Sequence, residues 1–288
     1  MKACVSSTIP ARSIQRISSA LAQYSPATIV RDARDADVVV HIVIGVGNFI
    51  ATPIDQLIAQ EVKNGQRYAI IQCCLMSTEQ PRPDFWKPLW EGADAVWSYL
   101  DLRAFAPTYQ FNFHYAPLGV DPIFYDRKVT RDITMLTTGY VAESEGVREV
   151  SEAVKRVGGK HVHVGPNFQL GDHSQTYFDV NDELMAHLYS RSHYVAGLRR
   201  DEGLACGARP IMFDASHYRQ WFDGHAEYVP EDSFDVVTAA IESIVQFPPL
   251  VSETEVTWAS KRFNWPMVVG QFWEMITTQP KHKELAYE

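Results

Sequence analysis

The stretch Tyr189–Asp214, YSRSHYVAGLRRDEGLACGARPIMFD, decides how this chain is read. It leaves a helix, runs through the apolar segment Tyr194-Val195-Ala196-Gly197-Leu198, and turns through Arg199-Arg200-Asp201-Glu202. Gly203-Leu204-Ala205-Cys206-Gly207-Ala208-Arg209-Pro210 follows, and Ile211-Met212-Phe213 closes it as a buried strand. The small residues Gly203, Ala205, Gly207 and Ala208 let a helix start close to a sheet or a ligand. Free N–H groups at a helix start attract phosphate, and two adjacent arginines add fixed positive charge. Read without a ligand, the same stretch is a tightly packed strand, loop and helix of any α/β protein.

On either side of it, strands alternate with helices. Ala3–Val5, Ala36–Ile44, Arg67–Leu75 and Ala95–Trp97 read as strands, the longer ones apolar enough to be covered on both faces. Helices are expected with Ile14, Ile17, Leu21 and Ala22 on one face, over Leu57–Val62 closed by Asn64-Gly65, and over Trp86–Glu91. A second alternation runs through strand Ile133–Thr137, helix Val147–Val157, strand His161–Val164 and helix Asn181–Ser190. Phe234–Phe247 is a later helix, ended by Pro248-Pro249. The pattern predicts two Rossmann-like α/β domains facing across a cleft.

Composition narrows the class. The chain has 288 residues, 46% hydrophobic and 21% charged, and a net charge of -9, so it carries no global basic field to gather nucleic acid or anionic membrane. A phosphate site must be local. The four cysteines show no metal-ligand spacing, and Cys73-Cys74 lie inside an apolar run as reduced thiols would. No signal peptide or membrane span is read, Val38–Ile44 being too short to cross a bilayer, and a cytoplasmic location is expected.

Three ordered segments carry a resemblance. Glu202-Gly203-Leu204-Ala205-Cys206-Gly207-Ala208-Arg209-Pro210-Ile211 resembles the signature of retaining GT-B glycosyltransferases that use nucleotide-sugar donors, the family-4-like group. Pro117-Leu118-Gly119-Val120-Asp121-Pro122-Ile123-Phe124 resembles that group's interdomain segment, and Lys261-Arg262-Phe263-Asn264-Trp265 its C-terminal helix start. The resemblance covers about the second two-thirds of the chain. It implies an acceptor domain over 1–120, a donor domain over 121–260, and a terminal helix over 261–288 that packs back on the first domain. It also implies a metal-independent transferase that moves a sugar from a nucleotide diphosphate to a hydroxyl, with retention and with no permanently bound cofactor.

Carried onto individual positions, the resemblance implies a donor site made of Gly139, Tyr140, Gly165, Pro166, Asn167, Phe178, Val180, Arg199, Arg200, Glu202, Gly203 and Leu204. Glu202 would take the ribose hydroxyls, since an ionised carboxylate is acceptor-only. Tyr140 stands where the group's diphosphate arginine falls, and Arg199 and Arg200 are the substitutes, able to grip phosphate oxygens in pairs. Tyr194 stands where the group has its other glutamate, and the intervening loop is shortened. Stabilising the departing diphosphate makes Arg199 and Arg200 the first catalytic candidates. His114 and Asp94 are the acceptor-orienting ones, with His41 and Asp101 also weighed and His41 read as a core residue. Ser7, Thr8, Arg12, Gly45, Gly47 and Asn48 are expected at the acceptor. Asp35-Ala36-Asp37 has the spacing of a metal motif but precedes a strand, which makes it a solvated turn; no metal site is expected. The compact length and His217-Tyr218-Arg219-Gln220-Trp221-Phe222 resemble virus-encoded (bacteriophage) glycosyltransferases, some of which glycosylate hydroxymethylated pyrimidines in DNA. Modified DNA is thus one candidate acceptor. A non-catalytic nucleotide-sugar binder on the same scaffold and a nucleotide-sugar epimerase are the alternatives.

Overall fold

The computed structural model describes residues 1–7, 12–44, 65–74, 83–100, 102–139, 146–166, 170–197 and 200–278. It divides into two compact units, Met1–Gly119 with Trp265–Glu288, and Val120–Asn264. The helix read over Leu57–Val62 lies outside the described residues.

The first unit holds β1 (Lys2–Ser7), α1 (Arg12–Tyr24), β2 (Thr28–Ile29), β3 (Val38–Ile44), β4 (Arg67–Cys74), α2 (Pro83–Gly92), β5 (Ala95–Ser98), α3 (Leu102–Phe105) and β6 (Phe113–Tyr115). Its six strands are all parallel, in the order β2-β1-β3-β4-β5-β6. The apolar run of β3 is used on both faces, as a parallel strand under two helix layers requires. Val38, Val40 and Ile42 join one core with Ile14, Ile17 and Leu21 of α1, whereas Val39 and Val43 join another with Trp86, Leu89 and Trp90 of α2. Ala22 departs from the expected helical face and is exposed, because at α1's pitch it falls beside the apolar stripe. Asp32 caps the short turn Ala33–Asp35, and Asp37 Oδ2 accepts the Lys2 N–H at 2.7 Å, so the acidic Asp35-Ala36-Asp37 segment shapes the entry to β3.

The chain's last helix, α10 (Trp265–Thr278), also belongs to the first unit. Trp265, Val268, Val269, Phe272 and Trp273 enter the α1 core, and Arg67 Nη1 donates to the Ile276 carbonyl at 2.6 Å. Gly119 meets this helix directly: a side-chain carbon there would stand 2.2 Å from Cδ2 of the buried Trp265 ring. Two of the three resembling segments therefore touch.

The second unit holds β7 (Ile133–Thr138), α4 (Val147–Arg156), β8 (His161–Val164), β9 (Ser174–Tyr177), α5 (Asp182–Arg191), β10 (Ser192–Gly197), α6 (Arg200–Ala205), β11 (Arg209–Phe213), α7 (Ser216–Phe222), β12 (Glu227–Val229), α8 (Phe234–Val245) and α9 (Glu253–Arg262). The strands are again all parallel, in the order β12-β11-β10-β7-β8-β9. Local signals set several ends. Asn181 Oδ1 caps α5 by accepting the Leu184 N–H at 2.8 Å, and Ser252 with Glu255 forms a reciprocal capping box on α9. Both sheets carry the Rossmann-like architecture read from the sequence.

Gly119→Ala is expected to destabilise the chain by about 3 kcal/mol, because the Trp265 ring is fully buried and cannot swing clear. Urea unfolding followed by tryptophan fluorescence checks it.

Candidate functional site

In the second sheet the winding runs outward from β7 through β8 to β9, then returns to β10 on the other side of β7 and continues to β12. The crevice beyond the carboxyl ends of β7 and β10 is therefore the switch point where open α/β sheets take ligands. Register brings four strand ends to one level: Gly197 opposite Thr138, Thr138 opposite Val164, and Val164 opposite Tyr177.

Three glycines leave these ends with positive φ: Gly139 at 101°, Gly165 at 149° and Gly197 at 86°. A side-chain carbon on Gly165 would lie 2.0 Å from the Gly139 carbonyl oxygen, and one on Gly197 would lie 2.2 Å from the Thr138 carbonyl oxygen. Only glycine fits such contacts. Gly139 N–H donates to Val164 O at 3.0 Å and Gly165 N–H to Tyr177 O at 2.8 Å, which ties the turns after β7 and β8 to the ends of β8 and β9.

From this glycine surface β10 leads into α6. Gly203 allows α6 to lie on β10, since a side-chain carbon there would come 2.5 Å from Val195 Cγ1. Arg200 opens the helix with its guanidinium 4.8 Å from the Tyr218 ring centre, a cation–π contact that restricts where the charge points. With only six residues α6 has a small dipole, so fixed charge here comes from side chains. Arg219 is already committed, holding both oxygens of Asp214 at 2.5 and 2.7 Å and keeping that carboxyl below the ordinary range.

Other expected residues fall differently. Glu202 is only 1% exposed, so it is a buried carboxylate instead of an open one. Burial first, and Glu202's charge second, push the Cys206 thiol far up, which makes Cys206 an inert core group. Leu204 and Val180 pack in the core of this unit, and their side chains do not line a site. Phe178, just beyond β9, is 76% exposed. Tyr194 cannot stand in for a sugar-binding carboxylate, because its hydroxyl donates to the Ile244 and Phe247 carbonyls at 3.0 and 2.6 Å and pins the end of α8. Tyr140, Asn167 and Arg199 lie outside the described residues.

In the first unit the switch point lies between β1 and β3, and Ser7 ends β1 there, exposed. Arg12 opens α1. Thr8, Gly45, Gly47, Asn48 and Asp101 lie outside the described residues. His41 is buried and its Nδ1 is 2.7 Å from Ser6 Oγ on the adjacent strand. His114 sits on the edge strand β6, three strands or about 14 Å from β3, with its pKa lowered by burial. Asp94 precedes β5 and so lies at the opposite end of the sheet from Ser7, where its carboxylate accepts the Tyr68 N–H at 2.8 Å. That is an anchoring task, and it corrects the acceptor-orienting role expected for Asp94.

The sequence reading missed a buried polar run under the glycine surface. Thr137 Oγ1 lies 2.9 Å from both His161 Nε2 and His163 Nδ1, and His161 Nδ1 lies 2.8 Å from Ser174 Oγ. Thr137, His161 and His163 are all fully buried. The signal was present, since the alternation His161-Val162-His163 puts both rings on one face of β8. Burial lowers the pKa of both histidines, that of His161 to about 3.

Among the described residues no group of His, Cys, Asp and Glu is set to hold a metal ion, and no helix is long and apolar enough to cross a membrane.

These two parallel-sheet domains, with their winding and switch points, define a GT-B fold. No protein-family model matches the chain, and no curated protein matches it. Solved structures do. AviGT4, a glycosyltransferase involved in avilamycin A biosynthesis, is 15% identical, with 96% of this chain and 97% of that one covered at a TM-score of 0.65. A glycosyltransferase from Rickettsia africae is 10% identical, with 96% and 97% covered at 0.64. An alpha-glucosyltransferase in complex with UDP-glucose and DNA containing an abasic site is 12% identical, with 96% and 99% covered at 0.61. At these identities the likeness is one of fold.

The buried histidines make stability depend on pH. Their folded pKa lies below the unfolded value, so the stabilisation is complete above about pH 6.5 and is lost as pH falls below it, for His161 down to about pH 3, by up to about 1.4 kcal/mol per pH unit per histidine. Urea midpoints between pH 7.5 and 4.5 should fall for the native chain, and fall less steeply for His161→Gln.

Proposed function

We propose that this chain is a glycosyltransferase that moves a sugar from a nucleoside diphosphate donor to a hydroxyl acceptor with retention at the sugar carbon. The observation that carries the reading is the glycine surface at the β7–β10 switch point. There, backbone can approach a diphosphate closely and Arg200 follows within a few residues. The fold likeness to glycosyltransferases, one of them bound to UDP-glucose and DNA, supports it.

Each residue has a stated task. The turns at Gly139, Gly165 and Pro166 offer room for close approach of the diphosphate to the backbone. Arg199 and Arg200 hold the diphosphate and stabilise its departure with charge, while Gly203 keeps α6 close. Phe178, exposed beyond β9, is the platform on which the nucleobase stacks. Glu202 takes the ribose hydroxyls, with a packing contribution that its burial adds. Ser7, Thr8, Arg12, Gly45, Gly47 and Asn48 meet the acceptor at the other switch point, and His114 orients it. A hydroxymethylated pyrimidine in DNA is the acceptor we favour. With a chain charge of -9, DNA attraction has to come from local arginines such as Arg12, Arg16 and Arg31, Arg34 being paired with Asp32. The donor leaves no permanent cofactor to be bound.

Titration with uridine, guanosine, adenosine and cytidine diphosphate sugars tests the donor assignment, with slow release of free nucleotide separating a transferase from a pure binder. Arg200→Ala is expected to weaken nucleoside diphosphate binding about thirtyfold, the loss of a charge-assisted pair of hydrogen bonds. Phe178→Ala should weaken it about tenfold with no change in Tm, because an exposed ring supports no core. Glu202→Gln should weaken it about tenfold and lower Tm by several degrees. An unchanged Kd in that variant would assign the carboxylate to packing alone.

A further inference from the structure

The polar run beneath the glycine surface continues outward from β8. Ser174 Oγ lies 3.0 Å from Ser151 Oγ on α4, and Ser151 Oγ lies 2.8 Å from Nε2 of His173, an exposed residue. Six side chains thus form one line: His173, Ser151, Ser174, His161, Thr137, His163. Its direction is fixed at the outer end. His173 Nε2 also lies 3.2 Å from the Ser151 carbonyl oxygen. A carbonyl only accepts, so this nitrogen carries a proton whether His173 is neutral or charged.

The rest follows from each hydroxyl giving one proton and taking one. Ser151 accepts from His173 and donates to Ser174. Ser174 donates to His161 Nδ1, which is 2.8 Å away. His161 is held neutral by burial, so its proton sits on Nε2 and is donated to Thr137. Thr137 then donates to His163 Nδ1. The remaining proton of His163 must lie on Nε2, the nitrogen that faces the turn after β8: a side-chain carbon on Gly165 would come 3.2 Å from it. Within the described residues no hydrogen-bond acceptor meets that nitrogen, so the ring bears on the turn by contact.

We propose that this relay locks His163 as the Nε2–H tautomer, and that His163 is a positioning residue. Its ring, held in that state beneath the Gly165–Pro166 turn, supports the turn's backbone by contact and thereby sets that turn's distance from the nucleoside of the bound donor; this second half rests on the donor reading above. A side chain with no solvent exposure thus acts on the ligand only through the backbone it supports.

Long-range proton–nitrogen NMR of the uniformly labelled full chain reads histidine tautomers directly. Native protein should show His163 with its proton on Nε2 alone. Thr137→Ser keeps the hydroxyl and should keep both tautomer and affinity. Thr137→Val breaks two links; it should release His163 into a tautomer mixture and raise Kd about fivefold for whichever of UDP, GDP, ADP and CDP binds native protein best. If Thr137→Val fails to fold, Ser174→Ala cuts the same line at a half-buried position and is read in the same two ways. An Nδ1–H tautomer in native protein would overturn the relay. The expected tautomer change with an unaltered Kd would overturn the positioning role. Native protein that shows the tautomer but binds none of the four nucleotides would sink the donor reading, and loop positioning with it, while the relay would stand on its own spectrum.

Discussion

The second unit is organised by a close approach of backbone to backbone. Where Gly139, Gly165 and Gly197 leave their strands, the chain comes so near to itself that no side-chain carbon fits at two of the three positions. This crowding holds the ends of β10, β7, β8 and β9 level, and a level edge without side chains is open to a ligand at the crevice of an α/β sheet. Elsewhere the unit conforms to it. β10 follows α5 without an intervening residue, and α6 lies on β10 through Gly203. A loop with larger residues would have to stand off from the strands, and the crevice would be filled by its own side chains.

Much of the architecture was legible because parallel strands covered on both faces must be apolar throughout. Val38–Ile44, Arg67–Cys74 and Ile133–Thr138 announce themselves for that reason. The polar strand β9, Ser-Gln-Thr-Tyr, was missed because an edge strand has no need of that composition. The short β6 and β12, also edges, were missed likewise. Among candidate site residues, Gly139, Gly165 and Arg200 were proposed from motifs whose spacing reflects a strand end followed by a turn, and the structure places the two glycines at strand ends and Arg200 at the start of α6. Leu204 and Val180 were read as site residues from the same motifs, yet the structure packs both side chains in the core. A motif preserves ligand-binding and packing residues together, and spacing alone does not separate them. Asp94 failed for a different reason: the end of a parallel strand on which a residue lies decides its availability, and Asp94 stands at the amino end.

Charge is handled locally throughout. An acidic chain keeps a phosphate site attractive only if its arginines near the site are not consumed by neighbouring carboxylates. Arg219, Arg191 and Arg131 are each paired with an aspartate, and both Arg219 and Arg200 lie over a tyrosine ring. A ring face fixes where a guanidinium points without itself neutralising the charge.

The buried histidines extend the same economy to the backbone. A glycine-rich surface is free to approach a ligand, but glycine is also the residue with the most conformations to lose. Something must hold such turns in place without placing bulk above them. Packing from above would occupy the crevice, so support has to come from below, through groups small enough for a sheet interior and directional enough to specify position. Hydrogen-bonded histidines and hydroxyls on β7, β8 and β9 meet both conditions. The Ser151 carbonyl supplies the asymmetry that makes the line run one way, from α4 at the surface to the turn after β8. In this unit, then, the strand ends are shaped by glycine and kept in register by a polar core, and neither device would suffice without the other.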